Sequence, residues 1–160
     1  MTTLERSLSS PEAPGFGAHL RRLYRVVRIF GHILHGWVLA LALNAFRRPR
    51  RPVVRRATRR WLIRTLAILG VEIEVDGEAI RGPALLVSNH VSWLDIPVLG
   101  SLRELHFLSK AEVRDWPLLG PLAAAAGTLF LRRGRGEARR RRADIAHQLG
   151  LGRTVLVFPE

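Results

Sequence analysis

The chain has 160 residues, 48% of them apolar, which is enough for one ordinary hydrophobic core and leaves little room for a second domain. Lysine and arginine total 26 against 13 acidic residues, and the formal charge of +13 favours anionic partners such as phospholipid headgroups, phosphorylated substrates or nucleic acid. The sequence contains no cysteine, which excludes disulfides, thiolate metal sites and a cysteine nucleophile.

The N-terminal region consists of a polar tail followed by an apolar segment. Residues 1–18 are rich in serine, proline and glycine and lack a hydrophobic period, which predicts a mobile tail. Residues 29–46 carry no formal charge when their histidines are neutral, and as a helix they would be about 27 Å long, slightly short of the ~30 Å hydrocarbon core of a bilayer. Arginines flank both ends, which favours two cytoplasmic ends and a re-entrant or in-plane helix. A single span and a secretory signal peptide are the alternatives.

Two histidines, His32 and His35, lie three residues apart on one face of this apolar helix, a spacing that could ligate a metal or haem. Neither a carboxylate nor a cysteine lies near them in the sequence. We therefore prefer an interfacial position for both imidazoles and predict no metal site.

Residues 53–69 follow two prolines and have the pattern of a basic amphipathic helix. One predicted face is apolar and consists of Val54, Ala57, Thr58, Trp61 and Ile68, and the other consists of Arg55, Arg56, Arg59, Arg60 and Arg64. Such a helix suits the headgroup layer of a membrane, but it equally suits packing against a domain with its arginines in solvent. We assign residues 19–69 to a membrane-associating helical pair.

Beyond Gly70 the hydrophobic period changes from helical to alternating, which places the start of the main domain there. Residues 71–75 alternate as a strand would, and Asp76 and Gly77 suit a turn. Short apolar runs at 84–88, 105–109, 127–131 and 154–158 have the length of buried strands. Helical patterns separate most of them, one starting near residues 93–96 and another covering 137–149. Alternating strands and helices predict an α/β fold with a mostly parallel sheet flanked by helices.

The sequence places His90 immediately after the 84–88 run, where ligand sites gather in open α/β sheets. Asp95 follows five residues later and can reach back if His90 lies on the loop and Asp95 in the first helical turn. Ser92 with Asp95 fits a helix-capping pattern, and Pro97 is tolerated only near a helix start. A histidine held by a carboxylate suits a general base for an alcohol. The structural alternative is a loop histidine beside a carboxylate that only caps the helix.

Three segments resemble, in order, the signature blocks of the glycerol-phosphate and lysophosphatidate acyltransferase family. Residues 80–99 contain the N-H-x-S-x-x-D core of the first block, here Asn89, His90, Ser92 and Asp95. Residues 127–133 resemble the second block, in which an apolar strand ends in a phosphate-binding arginine, here Arg133. Residues 155–160 resemble the third block, F-P-E-G-T-R, as far as Glu160. We expect the domain to be incomplete at its C-terminal end and, in that form, inactive.

The resemblance implies a function and a set of roles. The expected reaction moves a fatty acyl group from acyl-CoA or acyl carrier protein, as co-substrate, to the hydroxyl of a lysophospholipid, with 1-acyl-sn-glycerol 3-phosphate as the favoured acceptor in phospholipid synthesis. His90 and Asp95 would be catalytic, Arg133 and Glu160 would bind the substrate phosphate, and Asn89 and Ser92 would support them. No cofactor is expected. From residues alone, Arg133 suits either a phosphate fork or a solvated surface charge.

The expected partners are membrane lipid, lysophospholipid and acyl donor, at the cytoplasmic face of the inner (plasma) membrane. No nucleic acid is expected, because the arginines surround an apolar helix and no recognition motif is present. Two other functions remain open: a non-catalytic basic module that binds membrane or nucleic acid, and a hydrolase in which His90 and Asp95 activate water. The oligomeric state is not predicted.

Overall fold

The computed structural model describes residues 16–131 and 137–159. In chain order they form α1 (Phe16–Ala42), α2 (Pro52–Leu69), β1 (Leu85–Val87), α3 (Asp95–Leu102), β2 (His106–Lys110), a 3-10 helix (Ala111–Asp115), α4 (Leu119–Ala125), β3 (Leu129–Leu131), α5 (Glu137–Gly150) and β4 (Val155–Val157). Most of the predicted tail lies outside the described residues, and its last three positions, 16–18, already belong to α1.

The strands form one parallel sheet in the order β1-β4-β2-β3. Each strand falls on one of the four short apolar runs, with β2 ending one residue beyond its run at Lys110, and α3, α4 and α5 make the crossovers that parallel pairing requires. The two central strands are β4 and β2, and Val155 and Leu156 of β4 are almost completely buried. Burial on both faces explains why β4 is continuously apolar instead of alternating, whereas Leu85 and Val87 of the edge strand β1 are 46% and 65% exposed. The predicted α/β fold with a parallel sheet is confirmed.

The helical pair α1 and α2 packs closely through a small residue. A Cβ at Gly36 would lie 2.8 Å from Nε1 of Trp61, so glycine allows the two helices to approach. Trp61 Nε1 donates to the His32 carbonyl at 3.0 Å, while His32 Nε2 lies 3.0 Å from the Trp61 carbonyl. His32 is thus a buried bridge between the two helices, and its position at a membrane interface stays a prediction. In length and composition α1 suffices to cross a membrane.

The strand predicted at residues 71–75 is wrong, because this segment has no regular secondary structure. Ile73 and Val75 are 37% and 62% exposed. An alternating segment forms a strand only where a neighbouring strand supplies backbone hydrogen bonds. In this sheet β4 pairs with residues 85–87, which lie farther along the chain than this segment. The turn residue Gly77 does have a positive φ of 96°.

The predicted apolar face of α2 is only partly correct. The residues actually buried are Val54, Leu62, Thr65, Leu66 and Ile68. Because α2 packs against both α1 and α3, it buries a wider sector than a one-sided amphipathic helix would. Two members of the predicted arginine face are engaged there: Arg55 Nε pairs with Glu104 Oε2 at 2.7 Å, and Arg59 Nε donates to the Ser101 carbonyl at 2.8 Å. The packing alternative therefore describes this side of α2, although Arg59 itself is exposed.

Candidate active site

The loop that follows β1 brings His90 and Asp95 into direct contact. His90 Nδ1 lies 2.9 Å from Asp95 Oδ2, and both side chains are about one third exposed, at 32% and 27%. His90 lies on the loop and Asp95 is the first residue of α3, the placement that lets residues five apart meet. The pair therefore faces solvent at the carboxyl edge of the sheet, where a substrate can reach it.

Backbone amides hold the Asp95 carboxylate in place. Oδ2 accepts hydrogen bonds from the amides of Val91 at 2.8 Å and Ser92 at 2.9 Å, in addition to its contact with His90. The bonds from Ser92 and Val91, followed by the His90 imidazole, keep the pKa of Asp95 below its ordinary value. An ionised Asp95 can only accept, so Nδ1 of His90 carries the proton of that bond. The Nε2 atom then bears the lone pair that a general base needs.

The start of α3 differs in detail from the capping pattern. Ser92 Oγ accepts from the Leu94 amide at 3.3 Å, two residues ahead instead of three, and the helix begins at Asp95. The other half of the capping box is present, since the Asp95 carboxylate reaches back to the Ser92 amide. Pro97 is buried in the first turn, where its missing N–H leaves no bond unmade. Ser92 thus supports the loop, whereas the adjacent Asn89 is exposed.

An aromatic contact that the sequence did not reveal steadies the imidazole. The rings of His90 and Phe158 stack with centroids 4.2 Å apart and planes at 22°, and Phe107 lies behind Phe158 at 6.4 Å. Phe158 directly follows β4, and the contact exists because β4 is the sheet neighbour of β1. The strand order of the sheet cannot be read from local sequence. The sequence showed only that Phe158 follows an apolar run, which did not predict its contact with His90.

The other predicted site residues, Arg133 and Glu160, lie outside the described residues. The structure shows that the strands preceding them, β3 and β4, end at Leu131 and Val157. Both strands are parallel to β1 in the same sheet, so their carboxyl ends lie at the same edge as His90.

No group of three or more histidine, cysteine or acidic side chains suited to a metal occurs among residues 16–131 and 137–159.

A cavity of about 430 Å³ lies away from His90, between α2 and the end of α3, and is lined by Arg56, Arg59, Arg60, Leu102, Arg103 and Glu104. Two of these arginines already bind main-chain carbonyls, Arg59 those of Ser101 and Leu102 and Arg103 those of Ile80 and Gly82. Neither His90 nor Asp95 lines this cavity.

The chain thus has an α/β domain with a parallel sheet. Its N-H-x-S-x-x-D loop places a histidine–aspartate pair at the carboxyl edge of that sheet. The sequence profile of the Acyltransferase family matches residues 72–160, and the chain belongs to that family. The resemblance found in the signature blocks is thereby confirmed. No solved structure matches the chain.

Curated relatives extend the match beyond the family profile. The chain is 50% identical over 147 residues to the lyso-ornithine lipid O-acyltransferase of Pseudomonas aeruginosa, covering 89% of this chain and 57% of that protein. It is 37% identical over 142 residues to the protein of the same name from Rhodobacter capsulatus, covering 86% and 46%. It is 36% identical over 98 residues to the 1-acyl-sn-glycerol-3-phosphate acyltransferase of Neisseria gonorrhoeae, covering 59% and 38%. The chain thus spans about half the length of these relatives.

Proposed function

We propose that this protein transfers a fatty acyl group from a thioester donor to the hydroxyl of a lysolipid. The observation that carries the proposal is the 2.9 Å contact between His90 Nδ1 and Asp95 Oδ2, with the carboxylate fixed by two backbone amides. This arrangement selects one imidazole tautomer and stabilises the imidazolium that forms when Nε2 accepts a proton. Membership of the Acyltransferase family supports the reaction class.

The chemical step needs no covalent enzyme intermediate. Nε2 of His90 removes the proton from the acceptor hydroxyl as its oxygen attacks the thioester carbonyl. The carbon–oxygen bond of the new ester forms, the carbon–sulfur bond breaks, and the proton on His90 passes to the departing thiolate. Asp95 remains ionised throughout and balances the transient charge on the imidazole. Acyl-CoA or acyl carrier protein is the expected co-substrate, and no cofactor takes part.

Two lysolipids are candidates for the acceptor, and the relatives rank them. Relatives named lyso-ornithine lipid O-acyltransferase match most of this chain at up to 50% identity. Those named 1-acyl-sn-glycerol-3-phosphate acyltransferase match 59% of it at 36%. We therefore propose a lyso-ornithine lipid as the preferred acceptor and 1-acyl-sn-glycerol 3-phosphate, favoured from sequence alone, as the second candidate.

Arg133 and Glu160 are proposed to recognise the acceptor headgroup. Both follow strands whose carboxyl ends share an edge with His90. A guanidinium forks onto a phosphate or a carboxylate with similar geometry, so Arg133 suits either acceptor. Glu160 would orient this arginine or bind a hydroxyl, and Asn89 and Ser92 would support the loop.

The N-terminal helix is proposed to hold the protein at the membrane. One side of α1 exposes a continuous apolar stripe, formed by Leu20, Leu23, Val27, Phe30, Leu34, Val38 and Leu41. These positions recur every three or four residues, which is the pattern of a helix lying in the membrane plane with its apolar side in lipid. Arginines before and after the apolar segment favour the cytoplasmic face of the inner membrane.

The test compares the full-length wild-type protein with its His90→Ala variant in an assay that separates products. Each protein receives acyl-CoA or acylated acyl carrier protein together with one of the two lysolipids, and both the acylated lipid and free fatty acid are quantified. His147→Ala, an exposed histidine on α5, is the matched control. We expect acylated product from wild type and control and almost none from His90→Ala. Equal transfer by His90→Ala would reject the catalytic assignment, and free fatty acid without acylated lipid would indicate a hydrolase.

A further inference from the structure

The turn between the 3-10 helix and α4 exposes a cluster of large apolar side chains. Trp116, Leu118 and Leu119 are 54%, 52% and 44% exposed, with Pro117 among them. Side chains of this kind are exposed singly on many soluble surfaces, but a contiguous group marks a surface that contacts something apolar. We call residues 116–119 the apical turn.

The backbone of the apical turn is strained at Leu118. Leu118 has φ 62° and ψ −46°, and the Leu119 amide donates to the Pro117 carbonyl at 2.7 Å, which closes a γ-turn. A positive φ is unfavourable for a leucine and persists only where the surroundings enforce it. Strain of this kind is often found at functional surfaces.

Two contacts enforce the conformation. Gly120 packs so closely that a Cβ there would lie 2.8 Å from the Val113 carbonyl oxygen and closer still to the Arg114 backbone. Trp37 of α1 donates its indole N–H to the Leu118 carbonyl at 3.2 Å. The helix that carries the apolar stripe therefore holds the apical turn directly.

The apical turn also lies on the same side of the sheet as the candidate active site. It follows β2 after only the 3-10 helix, and β2 is parallel to β1, whose carboxyl end leads to His90. The loop that bears His90 has exposed apolar side chains of its own, Val91 at 89% and Trp93 at 59%. Apolar groups thus occur on both of these connections at the carboxyl edge of the sheet.

We propose that the apical turn inserts into the interfacial layer of the bilayer beside α1 and holds the carboxyl edge of the sheet, with His90, against the membrane surface. A bilayer is the partner favoured by continuity, since Trp37 joins the turn to a helix whose apolar stripe includes Leu34, Val38 and Leu41. Tryptophan beside leucine is typical of segments that enter the headgroup region, where an apolar body and a polar N–H are both satisfied. The inference rests on the proposed membrane-associated function and adds a second point of contact to it.

The absence of cysteine from the sequence permits a direct test. A single cysteine is introduced by Leu118→Cys and labelled with a polarity-sensitive fluorophore. Leu151→Cys is the matched control, because Leu151 is 50% exposed in the turn after α5, at the opposite edge of the sheet. Trp116→Cys provides a second reporter if the first variant folds poorly. Each labelled full chain is mixed with vesicles of anionic phospholipid with brominated acyl chains, and its co-sedimentation is measured in the same sample.

Insertion predicts a blue shift at position 118 on adding vesicles and quenching by brominated lipid several-fold greater than at position 151. Co-sedimentation with no difference between the two positions would overturn the insertion and leave the proposed function intact. Failure to co-sediment would overturn both the insertion and the membrane part of the proposed function, whereas the acyl-transfer assay would still test the chemistry. A blue shift that grows with protein concentration and needs no vesicles would show that a second copy covers the turn, and would reject the proposal.

Discussion

The two ends of the sheet each hold a histidine, and their surroundings differ in kind. At the carboxyl edge, the Nδ1 atom of His90 faces a carboxylate in partial contact with solvent. At the amino end of β2, His106 is 2% exposed and its Nδ1 lies 3.1 Å from the Gly127 carbonyl. Within the described residues its Nε2 has no hydrogen-bond partner. One imidazole is therefore arranged to gain a proton, and the other is arranged to remain neutral.

The charges around each ring explain the difference. Burial, assisted by Arg153, Arg55 and Arg50, lowers the pKa of His106, and its bond to Gly127 only partly opposes this. At His90 the charged neighbour is instead the Asp95 carboxylate, which lies 2.9 Å from Nδ1. Partner and burial, more than residue type, separate the imidazole proposed to be catalytic from the structural one.

The largest expected effect is that alanine variants of the two histidines lose different properties, one losing activity and the other stability. His90→Ala should lower kcat/KM by about 10²–10⁴-fold with little change in unfolding free energy, because it removes a partly exposed general base. His106→Ala should lower the unfolding free energy by about 1–3 kcal/mol and leave the activity per folded molecule nearly unchanged. Steady-state acyl transfer and urea unfolding on both variants measure this. Equal losses of activity and of unfolding free energy in both variants would contradict the different roles given to His90 and His106.

A smaller effect is expected from Phe158→Leu, which removes the ring stacked on His90 while keeping an apolar side chain. The stacking is worth about 0.5–1.5 kcal/mol, so the expected loss in kcat/KM is about 2–10-fold. Phe107→Leu, one ring farther from the imidazole, is the control. A loss at Phe107 as large as that at Phe158 would indicate a general packing defect instead of imidazole positioning.

The smallest expected effect concerns pH. The unfolded chain protonates His106 near its ordinary pKa of 6.5, whereas the folded chain does so only at lower pH. Stability from keeping this imidazole neutral is therefore complete above that pKa and declines as pH falls below it. Urea unfolding at about pH 7.5 and about pH 5.5 should show a smaller pH dependence in His106→Gln than in wild type. An unchanged dependence would show that His106 contributes nothing to it.

The parts predictable from sequence were those fixed by local chemistry. The strand runs, the position of His90 after β1 and the reach of Asp95 all follow from short-range patterns, and the structure shows each of them. The wrong strand prediction at 71–75 and the only partly correct apolar face of α2 have one cause. Tertiary neighbours, which the local sequence does not show, determine which residues are buried or paired. Phe158 lies 68 residues from His90, and Trp37 lies 81 residues from Leu118, so no local sequence pattern predicts these contacts.

The most direct test of the central claim, that His90 and Asp95 act as one unit, is a double-mutant cycle on acyl transfer. The variants are His90→Ala, Asp95→Asn and the two combined, assayed for kcat/KM with the preferred lysolipid. If Asp95 acts only through His90, the double variant should lose no more activity than His90→Ala alone. Losses that multiply in the double variant would contradict the account, because they would show that the imidazole and the carboxylate work independently.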